Sequence, residues 1–214
     1  MNAGGIVSLN SPSHGVVLGL AMFYGGIVQL LAGMWEFKTG NTYGALAFTS
    51  YGGFWMSFAA LSVTSFGFLN GYTGDPNKTA DLNNGLGIYL LSWCFFSTFM
   101  FIASHRTTVV LFILFFWVAL TFLLLAIGHF LLAIELADAG LLCQKAGGVF
   151  GVIAAIIAWY GSFAGLLTNK NSYFTLPVWP LEPIYISWGW VSPKEGQDMD
   201  EIPNSCCRRS RPCC

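Results

Sequence analysis

Residues 40–55 (GNTYGALAFTSYGGFW) combine polar side chains and glycines inside a stretch of chain that carries no charge. The uncharged run extends from residue 39 to residue 74, so we read it as membrane sequence. A helix that only anchors a protein in lipid has no need of hydroxyl and amide groups, which are unfavourable in hydrocarbon without partners. The segment therefore predicts that a polar solute is bound or conducted here, and the candidate residues are Asn41, Thr42, Thr49, Ser50, Tyr51 and Trp55.

The hydroxyls of this region recur about every seven residues, with one residue of slip, at Thr42, Thr49, Ser57 and Thr64. On a helix this spacing predicts a polar stripe along one face, which Ser50 widens, while Tyr51 and Trp55 share a neighbouring face. Thr and Ser also donate to the carbonyl one turn earlier, and for any single residue that alternative is favoured. The stripe as a whole favours a lined cavity.

Asn41 and Thr42 stand where this helix is predicted to begin. Either side chain can cap the helix by accepting from a backbone N–H group of the first turn. The free N–H groups of a helix N-terminus also attract an anion, by roughly 0.3–1 kcal/mol. A small carboxylate could therefore bind here without a basic side chain, and neutral donors would allow its release.

Several chemistries are disfavoured by what the uncharged runs lack. None of the predicted spans contains Asp, Glu, Lys or Arg, so the Schiff-base lysine of a retinal protein and a buried carboxylate relay are absent. The HExxH motif of a metalloprotease is absent as well. His129, near the end of the fourth span, is interpreted as a packed or interfacial histidine. An enzyme is disfavoured, and we expect no cofactor and no metal ion.

The elements that position these residues are predicted to be transmembrane helices. Only 9% of the 214 residues are charged and 55% are hydrophobic, whereas soluble domains carry roughly 25% charge. Each uncharged run holds an apolar core of about 20 residues, enough to cross a bilayer as a helix. We predict an all-α integral membrane protein with five spans, near residues 15–35, 43–66, 86–103, 109–133 and 146–167.

This reading divides the chain into three parts. Residues 1–14 form a short N-terminal segment, residues 15–168 the transmembrane helical domain, and residues 169–214 a C-terminal tail. Residues 178–214 mix three tryptophans with five prolines, and the tail is predicted to lie at the membrane interface around residues 184–191 and then to be disordered.

The orientation follows from the basic residues of the loops. Lys38, Arg106 and Lys170 lie on one side of the predicted bundle and Lys78 and Lys145 on the other. The tail adds further basic residues to the first side, so the C-terminus is predicted to be cytoplasmic. The sequon at Asn77 then lies outside, where it is a glycosylation candidate.

Residues 23–55 (FYGGIVQLLAGMWEFKTGNTYGALAFTSYGGFW) closely resemble the acetate uptake transporters, also called the succinate–acetate permease family. The motifs GNTYG and TSYGGFW carry the resemblance, which continues through LAIGH (residues 125–129) and GVIAAIIAWYGSFAGLL to about residue 177. It covers roughly four-fifths of the chain. The sequon, the tryptophan content and the NSYFTLPV segment resemble a fungal member.

The resemblance implies a carrier of the plasma membrane. Family members have six helices and assemble as homo-hexamers, with a pathway in each protomer. They move acetate and related short-chain monocarboxylates, together with protons, through a constriction of aromatic and aliphatic side chains. By resemblance, Tyr51 supplies the tyrosine of that constriction and Val118 in the fourth span faces it. Nucleic acid is not an expected partner, since the net charge is −1.

The chain departs from the family pattern at the first helix. The signature NPAPLGL is absent, and the first predicted span matches the second helix of the family. We therefore expect five helices from a six-helix plan, through a truncated gene product or a gene model with misplaced exon ends. The alternatives to a carboxylate transporter are a channel for acetate or ammonium and a non-transporting modulator of full-length members.

Overall fold

The computed structural model describes residues 14–72, 76–168 and 170–181. The predictions for residues 1–13 and for the tail beyond residue 181, including its interfacial stretch, lie outside these ranges. Within them, every regular element is helical. In chain order the elements are α1 (His14–Gly19), a π-helical segment (Leu20–Val28), α2 (Gln29–Lys38), α3 (Thr42–Ser62), α4 (Pro76–Ala103), α5 (Val109–Ala133) and α6 (Ala137–Leu166).

The described ranges contain five long helical rods, because α1, the π-helical segment and α2 follow one another without a break. In this part of the chain, four stretches are long and apolar enough to cross a membrane, namely Val17–Lys38, Lys78–Arg106, Val109–Ala133 and Ala137–Leu166. The fifth rod, α3, is 21 residues long and falls outside this set, since its hydroxyls and glycines lower its hydropathy. The prediction of an all-α, multi-pass integral membrane protein is confirmed.

Several helix ends differ from the predicted spans. α5 covers the same residues as its predicted span, but α4 and α6 begin at Pro76 and Ala137, well ahead of the hydrophobic cores. Proline suits the first helical turn, and polar residues continue a helix outside lipid. α3 ends at Ser62 because Val63 adopts an extended backbone. Asn77 falls in the first turn of α4, and its glycosylation stays a prediction.

The first rod and α3 are packed closely through glycines. A Cβ atom added at Gly33 would come within 2.6 Å of Thr49 Cγ2, and one at Gly52 within 2.9 Å of the Leu30 backbone nitrogen. In a bilayer, close backbone approach of this kind supplies van der Waals contact where the hydrophobic effect between helices is weak. α4, α5 and α6 form a second closely packed set.

The two sets meet differently, because α3 reaches α4 and α5 mainly through long side chains rather than by close backbone approach. We call this contact the seam. It is built from aromatic rings and hydroxyls, and its residues are Tyr43, Tyr51, Phe54, Ser57, Tyr89, Trp93, Phe96, Ser97, Met100 and Phe115.

The chain after α6 returns to the start of α5 over residues 170–181. Thr108 forms an antiparallel β-bridge with Pro180. The Val109 nitrogen donates to the Trp179 carbonyl at 2.9 Å, and the Tyr160 hydroxyl donates to the Pro177 carbonyl at 2.6 Å. The division of the chain at residue 169 stays a prediction. Hydropathy could not show how residues 170–181 are held, since backbone hydrogen bonds to a distant helix end hold this stretch.

Candidate functional site

Tyrosine hydroxyls mark three levels of the seam. Near the start of α3, the Tyr43 hydroxyl donates to the Met100 carbonyl at 2.9 Å. In the middle, the Tyr51 hydroxyl lies 2.8 Å from Ser97 Oγ. Towards the end of α3, the Tyr89 hydroxyl lies 2.7 Å from Ser57 Oγ. The helices α3 and α4 are therefore linked by a ladder of hydroxyl contacts between aromatic rings.

Tyr51 lies at the centre of the ladder and is surrounded by rings. Its ring centroid is 5.5 Å from that of Phe96 in an edge-to-face arrangement and 6.0 Å from that of Trp93. The ring of Phe115 from α5 stacks on it at 6.2 Å, with 23° between the planes. Its hydroxyl meets Ser97, which is fully buried. Rings from α4 and α5 therefore enclose Tyr51 at this level of the seam.

Val118 shares a cluster with Tyr51, around the buried Phe54 and Phe122. The α5 ring that stacks on Tyr51 is Phe115, one turn before Val118. Sequence reasoning missed Phe115. Its signal was the three-residue spacing to Val118, which places both side chains on one helix face. Ser97 was missed too, because nothing within α4 indicates the residue it contacts on α3.

Asn41 caps α3 in the structure. Its Oδ1 accepts from the Gly44 nitrogen at 3.0 Å, and its Nδ2 donates to Glu36 Oε2 at 2.5 Å. Thr42 is exposed beside it. The negative Glu36 carboxylate next to the cap offsets the attraction of this helix end for an anion. Of the two interpretations of Asn41, the structure displays capping.

The hydroxyls of α3 do not form one stripe. Thr49 packs on Gly33 of α2, and its hydroxyl donates to the Ala45 carbonyl at 2.7 Å. Ser57 instead meets Tyr89 of α4. Ser57 follows Thr49 by eight residues rather than by seven. On a helix of 3.6 residues per turn, a step of eight residues rotates the second side chain away from the first by about 80°. Thr64 lies beyond the end of α3.

Ser50 and Trp55 flank Tyr51 on α3. Ser50 is half-buried, and in the part of the chain that the structure describes its hydroxyl has no hydrogen-bond partner. Trp55 packs on the π-helical segment, where a Cβ added at Gly25 would lie 3.1 Å from Trp55 Cγ. Its ring also meets that of Phe54 edge to face at 5.1 Å. Trp55 therefore joins the first rod to the seam.

A cavity of about 300 Å³ opens at the end of the seam where α3 ends and α4 begins. We call it the vestibule. Its lining includes the Ser57–Tyr89 hydroxyl pair and one carboxylate, Asp81, among the apolar side chains of Leu61, Phe68 and Leu82. The described residues contain no group of three or more His, Cys, Asp or Glu side chains placed to hold a metal ion.

A second polar group joins α4, α5 and α6 away from the seam. His129 Nδ1 lies 3.0 Å from Asn83 Oδ1, and Gln144 Nε2 lies 3.5 Å from His129 Nε2. Gln144 is buried at 7% exposure. The interpretation of His129 as a packed histidine agrees with these contacts, while Asn83 and Gln144 could not be assigned to it from sequence alone.

Comparison with known proteins assigns the chain to a family. The model of the GPR1/FUN34/yaaH family matches residues 4–183. The chain belongs to this family. The resemblance to acetate uptake transporters is confirmed by this match and by a solved structure, that of the bacterial acetate channel SatP. That structure is 33% identical, with a TM-score of 0.65 over 82% of this chain and 87% of the channel.

Several curated relatives come from fungi. Accumulation of dyads protein 2 of Saccharomyces cerevisiae is 49% identical over 78% of this chain and 55% of its own length. Ammonia transport outward protein 2 of the same yeast is 47% identical, over 76% and 56%. Acetate permease A of Emericella nidulans is 44% identical, over 76% and 55%. The chain thus spans little more than half the length of these relatives.

Proposed function

We propose that the chain carries acetate and related short-chain monocarboxylates across the membrane, along the seam of each protomer. The observation that supports this most directly is the ladder of hydroxyls between α3 and α4, enclosed by aromatic rings and open to a vestibule. A helix that only contacts lipid does not require a row of hydroxyl groups, which are unfavourable in hydrocarbon without partners. Family membership and the names of Acetate permease A and the acetate channel SatP point to the same substrate class.

The proposal gives the candidate residues different tasks. Tyr51 forms the constriction, with Phe115 against its ring and Val118 one turn further along α5. Ser50 offers a half-buried hydroxyl beside it. Thr49 and Trp55 hold α3 against the first rod. Asn41 and Thr42 form the N-terminal end of α3, at the predicted cytoplasmic side.

The wider setting is also part of the proposal. Transport is proton-linked, the protein is not an enzyme, and it lies in the plasma membrane with its C-terminus in the cytoplasm. Lys38, Arg106 and Lys170 at one end of the bundle support this orientation. The protomers form a homo-oligomer, by resemblance a hexamer.

Two other functions are kept as candidates. A channel for ammonium is favoured by the name of Ammonia transport outward protein 2. A non-transporting modulator of longer family members is the second candidate. Both differ from the leading proposal in what a cell expressing only this chain would accumulate.

Uptake of radiolabelled acetate in a host without other carboxylate carriers tests the proposal. We expect uptake from the chain alone and a several-fold loss with Tyr51→Phe, which keeps the ring but removes the hydroxyl. Tyr24→Phe is the matched control, because Tyr24 is 70% exposed on the outer face of the first rod. If Tyr51→Phe transports like the wild type, the constriction is misassigned. If the chain alone gives no uptake but alters the rate of a co-expressed longer relative, it is a modulator.

A further inference from the structure

A second cavity of about 300 Å³ lies between the start of α5 and the later turns of α6. We call it the groove. Aliphatic side chains of both helices line it, together with Tyr160 of α6 and Trp179 of the chain that follows. None of the described lining residues is charged, and the Tyr160 hydroxyl already donates to the Pro177 carbonyl at 2.6 Å. A cavity with such a lining takes an apolar occupant rather than a hydrated solute.

Residues 170–181, which we call the strap, supply one wall of the groove. The Val109 nitrogen donates to the Trp179 carbonyl at 2.9 Å, and the Leu181 nitrogen donates to the Thr107 carbonyl at 3.0 Å. Trp179 has a φ of 46°, a left-handed conformation that bulky residues rarely adopt. Backbone strain of this kind persists where the surrounding structure enforces it, and ligand clamps are one such setting. The strap therefore holds Trp179 at the groove against its backbone preference.

Trp179 has the surroundings of an aromatic residue at a membrane interface. The start of α5 and the last turns of α6 lie at the same end of the bundle, since a Cβ added at Gly161 would meet Val110 Cγ1 at 3.3 Å. Trp179 is 56% exposed there, and in the part of the chain that the structure describes its indole N–H has no hydrogen-bond partner. An indole at this depth can contact acyl chains with its ring and donate to a headgroup.

Basic residues occur at this end of both helices. Arg106 directly precedes Thr107, whose carbonyl holds the strap, and Lys170 follows the last turn of α6. No side chain within residues 101–115 or 170–181 is acidic, and the sequence adds one negative charge next to the strap, at Glu182, against these two positive charges. An excess of positive charge beside an apolar groove is complementary to an anionic headgroup above an acyl chain.

The setting of the groove favours lipid over the other apolar occupants. α5 and α6 are each long and apolar enough to cross a membrane, so acyl chains are the apolar groups that reach the groove from the bilayer. A small carboxylate would find only the Trp179 indole as a donor. The basic residues give a reason for an anionic lipid rather than a neutral one, because the positive charge would be wasted on a zwitterionic headgroup.

We propose that the groove binds one acyl chain of an anionic phospholipid, with the phosphate beside Arg106 and Lys170 and within reach of the Trp179 indole. The strap then acts as a lipid clamp on the α5–α6 pair. The site is separate from the seam and does not rest on the proposed function.

Native mass spectrometry of the full chain in detergent, with added phosphatidylserine or phosphatidylcholine of identical acyl chains, tests the headgroup preference. We expect phosphatidylserine to be retained several-fold better. Lys170→Gln should lower this preference by about fivefold, the effect of one basic residue near an anionic lipid surface. Lys145→Gln, exposed near the start of α6, is the matched control and should leave the preference unchanged. Equal retention of the two lipids by the wild type, or an unchanged preference in Lys170→Gln, would overturn the proposal.

Filling the groove tests the acyl-chain site. Ile156 lines the groove and is 58% exposed, so Ile156→Trp adds a ring there without disturbing the core. We expect it to retain several-fold less phosphatidylserine at an unchanged melting temperature. Val149→Trp is the matched control, since Val149 is 45% exposed two turns earlier on α6 and outside the lining. Wild-type retention by a folded Ile156→Trp would overturn the proposal, as would a change of oligomeric mass in that variant without bound lipid, which would assign the groove to a second copy of the chain.

Discussion

The hydroxyl of Tyr51 lies 2.8 Å from Oγ of Ser97, and this contact joins α3 to α4 at a level where Ser97 is fully buried. Around it, the rings of Trp93, Phe96 and Phe115 enclose Tyr51. A buried hydroxyl pair in an aromatic setting holds two helices in register. Substitutions elsewhere in the molecule test how the surrounding structure supports the contact between Tyr51 and Ser97.

The approach of α3 to the first rod depends on Gly52. A Cβ there would lie 2.9 Å from the Leu30 nitrogen and 3.0 Å from the Gly26 carbonyl oxygen, and backbone cannot give way as a side chain can. We expect Gly52→Ala to destabilise the protein by about 1–3 kcal/mol, seen as a lower melting temperature in detergent.

The neighbouring glycine is the control for that substitution. A Cβ at Gly53 meets nothing within 4 Å, so Gly53→Ala should stabilise α3 by up to about 1 kcal/mol through helix propensity. Equal melting temperatures for the two variants would show that the close approach at Gly52 does not hold the rods together.

Substitutions at Asn41 can separate its structural role, capping α3, from a role in binding the solute. Asn41→Ala removes the bond to the Gly44 nitrogen and should cost about 1 kcal/mol of stability. Asn41→Ser, which also caps and brings no second carboxylate against Glu36, should restore most of the thermal stability, and KM for acetate should stay unchanged in both variants. A raised KM in Asn41→Ser with normal stability would show that the amide binds the solute.

Much of the fold was predictable because hydropathy alone marks segments that must lie in lipid. It located α5 to the residue and the other rods to within one or two turns at their lipid-embedded ends. The extra turns at the starts of α4 and α6 lie in polar sequence, where hydropathy carries no signal. The π-helical segment Leu20–Val28 was not predictable either, since it depends on how the first rod packs on α3.

The candidate site was predictable only in part. The composition of residues 40–55 singled out Tyr51, but a single helix does not reveal its own rotation. For that reason the stripe through Thr49 and Ser57 was wrong, and the partner ring on α5 was Phe115 beside Val118. The pairings of Tyr51 with Ser97 and of Ser57 with Tyr89 join residues 46 and 32 positions apart, which only tertiary structure brings together.

The ring of Phe115 should set the size of acid that passes Tyr51. Phe115→Ala removes the stacked ring and leaves space beside the constriction. We expect the ratio of butyrate to acetate uptake to rise by about tenfold, the discrimination typical of a methylene group in an apolar pocket. Phe116→Ala, which removes a ring 46% exposed on the same helix, should leave the ratio unchanged. A rise in both variants would mean general loosening.

The polar group around His129 should contribute to stability. Asn83→Ala leaves His129 Nδ1 without its partner at 3.0 Å, and an unsatisfied group of this kind costs about 1–3 kcal/mol. Asn84→Ala changes an exposed amide one residue away and should have little effect. Thermal unfolding of the two variants in detergent provides the comparison, and equal melting temperatures would contradict a structural role for the Asn83–His129 contact.

The central claim, that the solute passes along the seam beside Tyr51, is tested most directly by solute protection of a thiol at Ser50. In a chain whose six native cysteines are replaced, Ser50→Cys would be labelled with a small thiol reagent, with Phe48→Cys as the outward-facing control that is 41% exposed. The account predicts that acetate slows labelling at position 50 and not at position 48. Labelling at position 50 that is indifferent to acetate at every concentration would contradict it.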